Sequence, residues 1–479
     1  MPSSRRCARS SADLTGTDAD HESRAEEADG GPRRILGLAL PALGVLAAEP
    51  LYLLLDIAVV GHLGALALAG LAVGGLILAQ VSTQLTFLSY GTTARAARLY
   101  GAGRERDAVG EGVQATWLAL GIGAALVVVV QMLAGPITRL IAGSGDIAVE
   151  AERWLRIAVF GAPLILVAMA GNGWMRGVQN TLRPLRFVLA GQVLSAVLCV
   201  LLVHGVAGAP RWELAGSAVA NVAGQTLSAV LFVAALLRER RSAGSVPGTG
   251  ISLRPRPAVM RAQLVLGRDL ILRSLAFQAC FLSAAAVASR FGAAAVAAHQ
   301  VVLQLWNFVA LTLDSLAIAA QTLVGAALGR GQVRGANRLA WRLTRWSAVF
   351  ATVLALAFAA GSAVVPTLFT DDAAVLDQAS IAWWFFVGIM PVAGVVFALD
   401  GVLLGAGDAA FLRTATLACA LVGFLPLIWS SLVWDWGLAG IWAGLTVFMV
   451  LRMLAVLWRT ASGRWAIAGA DLQAQGTKG

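Results

Sequence analysis

Apolar residues in this chain come in blocks of twenty or more, divided by short polar stretches. Twenty apolar residues in a helix cross ~30 Å of hydrocarbon. The blocks predict twelve spans, near 34–61, 65–94, 108–135, 150–177, 184–205, 213–237, 264–289, 293–326, 337–362, 376–405, 410–433 and 437–460. Within them the apolar positions run round the whole helix rather than along one stripe, as in a membrane span. The fold class read from this pattern is an all-α polytopic membrane protein.

Composition agrees. The chain is 58% hydrophobic and 13% charged, which excludes a disordered chain and argues against a soluble domain. The net charge of +10 sits between the blocks, where short-loop topology charges belong, so nucleic acid is not expected as a partner. Arg95, Arg98, Arg104 and Arg106, then Arg176, Arg183 and Arg186, then Arg330, Arg334, Arg338 and Arg342 fall in loops on one side. Asp371, Asp372 and Asp377 fall on the other. That asymmetry places both termini in the cytoplasm of a cell whose cytoplasmic membrane the chain crosses. Residues 1–32 are polar and read as a disordered tail. The stretch 238–262, rich in Gly, Pro and Arg, reads as a linker between an N-lobe (33–237) and a C-lobe (263–461), with 462–479 a cytoplasmic C-terminal tail.

An internal repeat supports two lobes. At an offset of 228 residues "AVVGHLGALALAG" (58–70) lies over "AVASRFGAAAVAA" (286–298), and "GAGRERDA" (101–108) over "GRGQVRGA" (329–336). Pro163 lies over Pro391, Asn172 over Asp400, Gly173 over Gly401 and Gly177 over Gly405. Six spans is an even number, so the lobes share one orientation and are related by a pseudo-two-fold along the membrane normal. Transporters built this way bind substrate between the halves.

Polar groups inside the spans are the candidate site, because an intramembrane acid is costly and turns toward protein or water. The first span, "LALPALGVLAAEPLYLLLDIAVVGHLG", carries Glu49 and Asp56 two turns apart on one face, with Pro50 between them as a hinge; Pro163 and Pro391 are hinge candidates elsewhere. An acid that alternates between dry and wet surroundings exchanges protons, so Glu49 and Asp56 are candidate proton-coupling groups. Span eight carries a polar stripe, Gln300, Gln304, Asn307, Asp314 and Gln321. With Asp400, Gln278 and Asn172 it makes a candidate substrate or cation cavity, whose oxygens suit a hard cation such as Na⁺. Cys199, Cys280 and Cys419 read as small buried hydrophobes. No P-loop, GxSxG, HExxH or other catalytic signature occurs, and no His or Cys set has metal-ligand spacing. The chain is therefore not expected to be an enzyme or to carry a cofactor beyond its coupling ion, H⁺ or Na⁺.

The stretches "LPALGVLAAEPLYLLLDIAVVGHLG" (40–64), "MRGVQNTLRPL" (175–185), "AAHQVVLQLWNFVALTLDSLAIAAQTLVGAALGRG" (297–331) and "LDGVLLGAGD" (399–408) resemble the multidrug and toxic compound extrusion (MATE) family, in its DinF-like branch. The resemblance implies a V-shaped cavity between two six-helix lobes. It also implies export of amphipathic, often cationic small molecules against H⁺ or Na⁺, by a monomer. Asp56 matches the first-helix aspartate of proton-coupled relatives. Their fifth-helix polar pair falls here at Ser195 and Cys199, leaving Gln192 and Asn221 as possible partners of Asp56. Asp400 matches an acid of sodium-coupled relatives, whose seventh-helix acid is replaced near Gln278. The expectation is an H⁺-coupled exporter. Its rivals are a Na⁺-coupled exporter using Asp314 and Asp400, and a lipid-linked precursor flippase, disfavoured because the arginines lie mostly at loops.

Overall fold

The computed structural model describes residues 31–143, 145–243 and 251–470. Most of the expected N-terminal tail, the centre of the linker (244–250) and residues 471–479 lie outside these. Among the described residues, twelve helices are long and apolar enough to span a membrane: α1 Pro32–Gly61, α2 Ala65–Gly101, α3 Glu105–Ala142, α4 Asp146–Gly177, α5 Leu182–His204, α6 Glu213–Arg241, α7 Pro257–Phe291, α8 Ala293–Gly329, α9 Val333–Ala360, α10 Ala373–Ala406, α11 Ala409–Val433 and α12 Gly437–Ala461. Met132 and Leu140 stand 73% and 86% exposed on α3, tolerable on a lipid-facing surface and costly in water. Several ends carry local signals. Pro32 and Pro257 open helices, where a missing N–H costs nothing. Asp372 caps α10 by accepting from the Ala374 N–H at 2.9 Å.

The 228-residue repeat is built into the helix boundaries and crossings. α2 and α8 begin at 65 and 293 and end at 101 and 329; α3 and α9 begin at 105 and 333. A Cβ on Gly173 would stand 2.4 Å from the Ser89 carbonyl oxygen, and one on Gly401 2.2 Å from that of Ala317, the equivalent pair in the other lobe. Small residues let membrane helices approach to backbone contact, and both lobes use them at the same crossing.

Of the four buried apolar clusters among the described residues, one (Leu99, Val113, Trp174, Phe232) sits within the N-lobe at the end where α2 meets α3, and three define the shape. One joins the lobes, with Ile35, Leu38, Phe87 and Leu166 packed with Leu323, Val324, Leu399 and Leu403. The other two belong to single lobes: Val60, Trp154, Leu155 and Val203 in the first, Trp306, Trp383, Phe386 and Trp442 in the second. The shared cluster lies toward the end that carries the first and last described residues. The separate clusters lie toward the opposite end. The lobes therefore form a V, closed at one end and divided at the other. At the closed end Gly101 meets the Ala326 carbonyl and Gly329 meets the Arg98 carbonyl, a reciprocal pair under the repeat.

Of the expected hinges, Pro163 sits at a local break, while Pro50 and Pro391 sit inside continuous helices. α1 stays helical through Pro41 and Pro50, and α10 through Pro391. Pro163 instead follows a 3₁₀ turn, Val159–Gly161, and starts the second segment of α4. α11 contains a π turn at Ala420–Phe424. In α1 the carbonyl of Gly37, deprived of its helical donor by Pro41, accepts from the Thr181 hydroxyl at 3.3 Å. No side chain among the described residues replaces the donor that Pro50 takes from Leu46. Residues 251–256 of the linker lie against α3: Trp117 donates to the Leu253 carbonyl at 2.7 Å and Gln114 to that of Arg254 at 3.0 Å. Residues 462–470 fold back on the closed end and bury Trp465.

Candidate functional site

Two cavities formed by described residues hold the candidate groups. The first, about 740 Å³, is lined by Glu49, Tyr52 and Asp56 of α1, Trp154 of α4, Gln192 of α5, Asn221 and Gln225 of α6, and apolar residues of α2. Glu49, Asp56, Gln192 and Asn221, picked from separate stretches of the sequence, thus share one wall-lined space. Gln304 of the C-lobe reaches it as well. Asp56 is 1% exposed. Its Oδ1 accepts from the Ser217 hydroxyl at 2.7 Å and from the Cys199 thiol at 3.2 Å. It makes no ion pair among the described residues. Cys199 thus touches the acid directly, from the position where the family resemblance places a polar partner. Ser217 gave no sequence signal, since a lone serine in an apolar span is common. Tyr52 lies within electrostatic reach of Asp56, Ser195 and Asn221. Ser195 Oγ and Asn221 Oδ1 are buried without a hydrogen-bond partner among the described residues.

The second cavity, about 320 Å³, lies mostly in the C-lobe, with Gln84, Phe87 and Tyr90 of the N-lobe on its wall. It contains Asn307, Asp314 and Asp400. The Tyr90 hydroxyl donates to Asp314 Oδ2 at 2.6 Å, bridging the lobes, and Gln321 Nε2 donates to the Tyr90 carbonyl at 2.7 Å. Asp400 Oδ2 accepts from Arg273 of α7 and Arg452 of α12, each at 2.5 Å. Arg176 lies within electrostatic reach of Asp314 and Tyr90.

The structure divides the proposed substrate or cation cavity. Gln304 faces the first cavity, while Asn307, Asp314 and Asp400 face the second. Gln278 lines neither; its amide donates to Gln80 Oε1 at 2.8 Å, across the lobes. Gln300 is exposed and lines neither. Asn172 is buried between Gly171, packed on Phe232, and Gly173, packed on Ser89, and also lines neither. The arginines lie mostly at loops, as expected, but with exceptions that matter. Arg98 and Arg176, read as loop charges, are 1% and 3% exposed. Arg273 and Arg452 stand inside spans, Arg452 visibly so in "FMVLRMLAVL". The other buried acids are paired too: Glu111 with Arg95 at 2.6 Å, Asp269 with Arg413 at 2.6 Å, Asp408 with Arg459 at 2.6 Å. Asp56 is fully buried and held by neutral donors alone; Asp314, half-buried, also accepts from a neutral donor, but with Arg176 and Arg273 in electrostatic reach.

Comparison with known proteins places this geometry. Residues 41–201 and 270–429 match the family model MatE. Over 448 residues the chain is 32% identical to Protein DETOXIFICATION 44, chloroplastic, of Arabidopsis thaliana, covering 90% of this chain and 83% of that protein. Over 443 residues it is 31% identical to DNA damage-inducible protein F of Escherichia coli (strain K12), covering 90% and 93%. A crystal structure of MATE in the bent conformation shares the fold at a TM-score of 0.81 and 19% identity, over 92% of this chain and 98% of that one.

Proposed function

The chain belongs to the MatE family and is a multidrug and toxin efflux transporter, and from this premise we propose that export is driven by proton movement through Asp56. The carrying observation is the contrast among the buried acids. A buried charge without a cation is costly, and Asp56 has only a hydroxyl and a thiol as partners. An acid so placed trades its proton with solvent whenever water reaches the cavity. Once protonated, it donates rather than accepts. Asn221 Oδ1, an acceptor with no hydrogen-bond partner among the described residues, lines the same cavity. That exchange of hydrogen bonds repacks α1 against α5 and α6. α1 bends most easily at Pro50, where no side chain replaces the lost backbone bond, whereas Thr181 secures it at Pro41. Substrate occupies the first cavity, where apolar walls with scattered amides and Glu49 suit an amphipathic cation. The lobes then exchange which end is closed.

Na⁺ coupling through Asp314 and Asp400 has weaker support. Two guanidinium groups hold the Asp400 oxygen that a sodium ion would need. The test is ethidium efflux from proteoliposomes under an imposed pH gradient, with and without Na⁺. Wild type should respond to the pH gradient and ignore Na⁺, and Asp56→Asn should lose the response. Transport by Asp56→Asn at the wild-type rate with unchanged pH dependence refutes the proposal, as does a strict need for Na⁺.

A further inference from the structure

We propose that the C-lobe cavity is a second binding site, for a carboxylate-bearing aromatic amphiphile that takes the place of the Asp400 carboxylate between Arg273 and Arg452. Both guanidinium groups converge on one oxygen, Asp400 Oδ2, at 2.5 Å each. Asp400 Oδ1 and Arg273 Nε are buried with no hydrogen-bond partner among the described residues. Two planar donor forks aimed at one point form a receptor for a carboxylate, and they hold one already. One acid engages each fork through a single oxygen and leaves donor capacity unused, where a ligand carboxylate can bind through two.

The charge balance favours an anion. Arg273, Arg452 and Arg176 surround Asp314 and Asp400; three cations meet two acids. The walls favour a ring. The Arg452 guanidinium lies 4.8 Å from the centroid of Phe277 and 5.7 Å from that of Phe448. Trp306 and Phe281 complete the apolar side. A volume of about 320 Å³ is at the small end of ligand sites, so one or two fused rings with a carboxylate are the right size. This chemistry is opposite to that of the first cavity, and the inference stands whether or not Asp56 couples protons.

The test is equilibrium dialysis of naphthalene-2-carboxylate, and of its uncharged methyl ester, against the full chain in nanodiscs, with empty nanodiscs subtracted. The acid should bind at least tenfold more tightly than the ester. Asp400→Asn, which removes the internal competitor, should tighten the acid at least tenfold and leave the ester unchanged. Arg273→Gln, which leaves Asp400 paired with Arg452, should weaken the acid at least tenfold, and it decides the matter alone if Asp400→Asn does not fold. The dialysis is run with no pH gradient and reads binding rather than transport, which separates this site from the proton reading. Equal binding of acid and ester overturns the proposal. So does an acid affinity unmoved by Arg273→Gln or by a folded Asp400→Asn.

Discussion

Gly329→Ala should open the closed end of the V. An alanine Cβ there would stand 2.1 Å from the Arg98 carbonyl oxygen and 2.9 Å from its carbon. A Cβ keeps about 3.0 Å from such atoms, so α8 and α2 must part by about 0.9 Å at this point. The obstructing atoms are backbone within a helix, so no rotamer change relieves the contact. Overpacking of this kind costs roughly 1–3 kcal/mol. The whole cost falls on the state in which the lobes touch here. It therefore shifts the balance of states away from this one by about 5- to 150-fold. Gly101→Ala should act alike, since its Cβ would meet the Ala326 oxygen at 2.0 Å. The double variant should cost less than the two single costs together, because helices already parted admit the second methyl.

Spin labels introduced through unnatural amino acids at the exposed positions Arg106 and Arg334 report the separation, and they leave Cys199, a partner of Asp56, untouched. Gly329→Ala should move the distance distribution to longer values and slow transport. Gly110→Ala, a helix position with nothing within 4 Å of the added carbon, should do neither. A Gly329→Ala distribution that coincides with wild type would show that the crossing is not what holds this end closed.

Further outcomes follow from the lobe contacts. Arg98 donates to the Ala406 carbonyl at 2.8 Å and to those of Ile467 and Gly469 at 3.0 Å each; Arg98→Gln should release the C-terminal segment, read as trypsin cleavage at Arg464 that wild type resists. Tyr90→Phe removes the inter-lobe bond to Asp314, and hydrogen bonds to a charged group contribute about 1.5–3 kcal/mol; thermal unfolding should fall by several degrees, and an unchanged midpoint would deny the bridge a role. Thr181→Val frees the Gly37 carbonyl in α1 and should lower stability by about 1 kcal/mol, measured in the same way.

The spans were legible because hydropathy and length decide a membrane helix almost alone. The repeat was legible because its offset recurs in helix boundaries as well as in residue matches. The first cavity was readable from the cost of burying acids and amides, which brings Glu49, Asp56, Gln192 and Asn221 to one space. The second cavity was not, for two physical reasons. A stripe such as Gln304, Asn307 and Asp314 follows one helix face, but α8 lies between the lobes, so successive turns of that face meet different cavities. And the sign of a membrane arginine says nothing of its depth: Arg176 looks like a loop charge and is buried, while Arg452 has to cross from α12 to find Asp400.

The repeat carries the argument further. Under the 228-residue offset Asp400 corresponds to Asn172, and Asp314 to Thr86. Asp56 corresponds to Ala284, which packs in the apolar cluster of the C-lobe. The two lobes share helix lengths and backbone crossings down to the glycine that permits them, yet none of these buried acids has an acid at its equivalent position. Packing at Gly173 and Gly401 tolerates no added atom in either lobe, so the scaffold stayed equal while the cavities diverged. An acid held by neutral donors can gain and lose a proton, whereas an acid locked between two arginines is already neutralised and can do so only by breaking both pairs. This contrast is the physical ground for proposing that the coupling proton binds in the N-lobe.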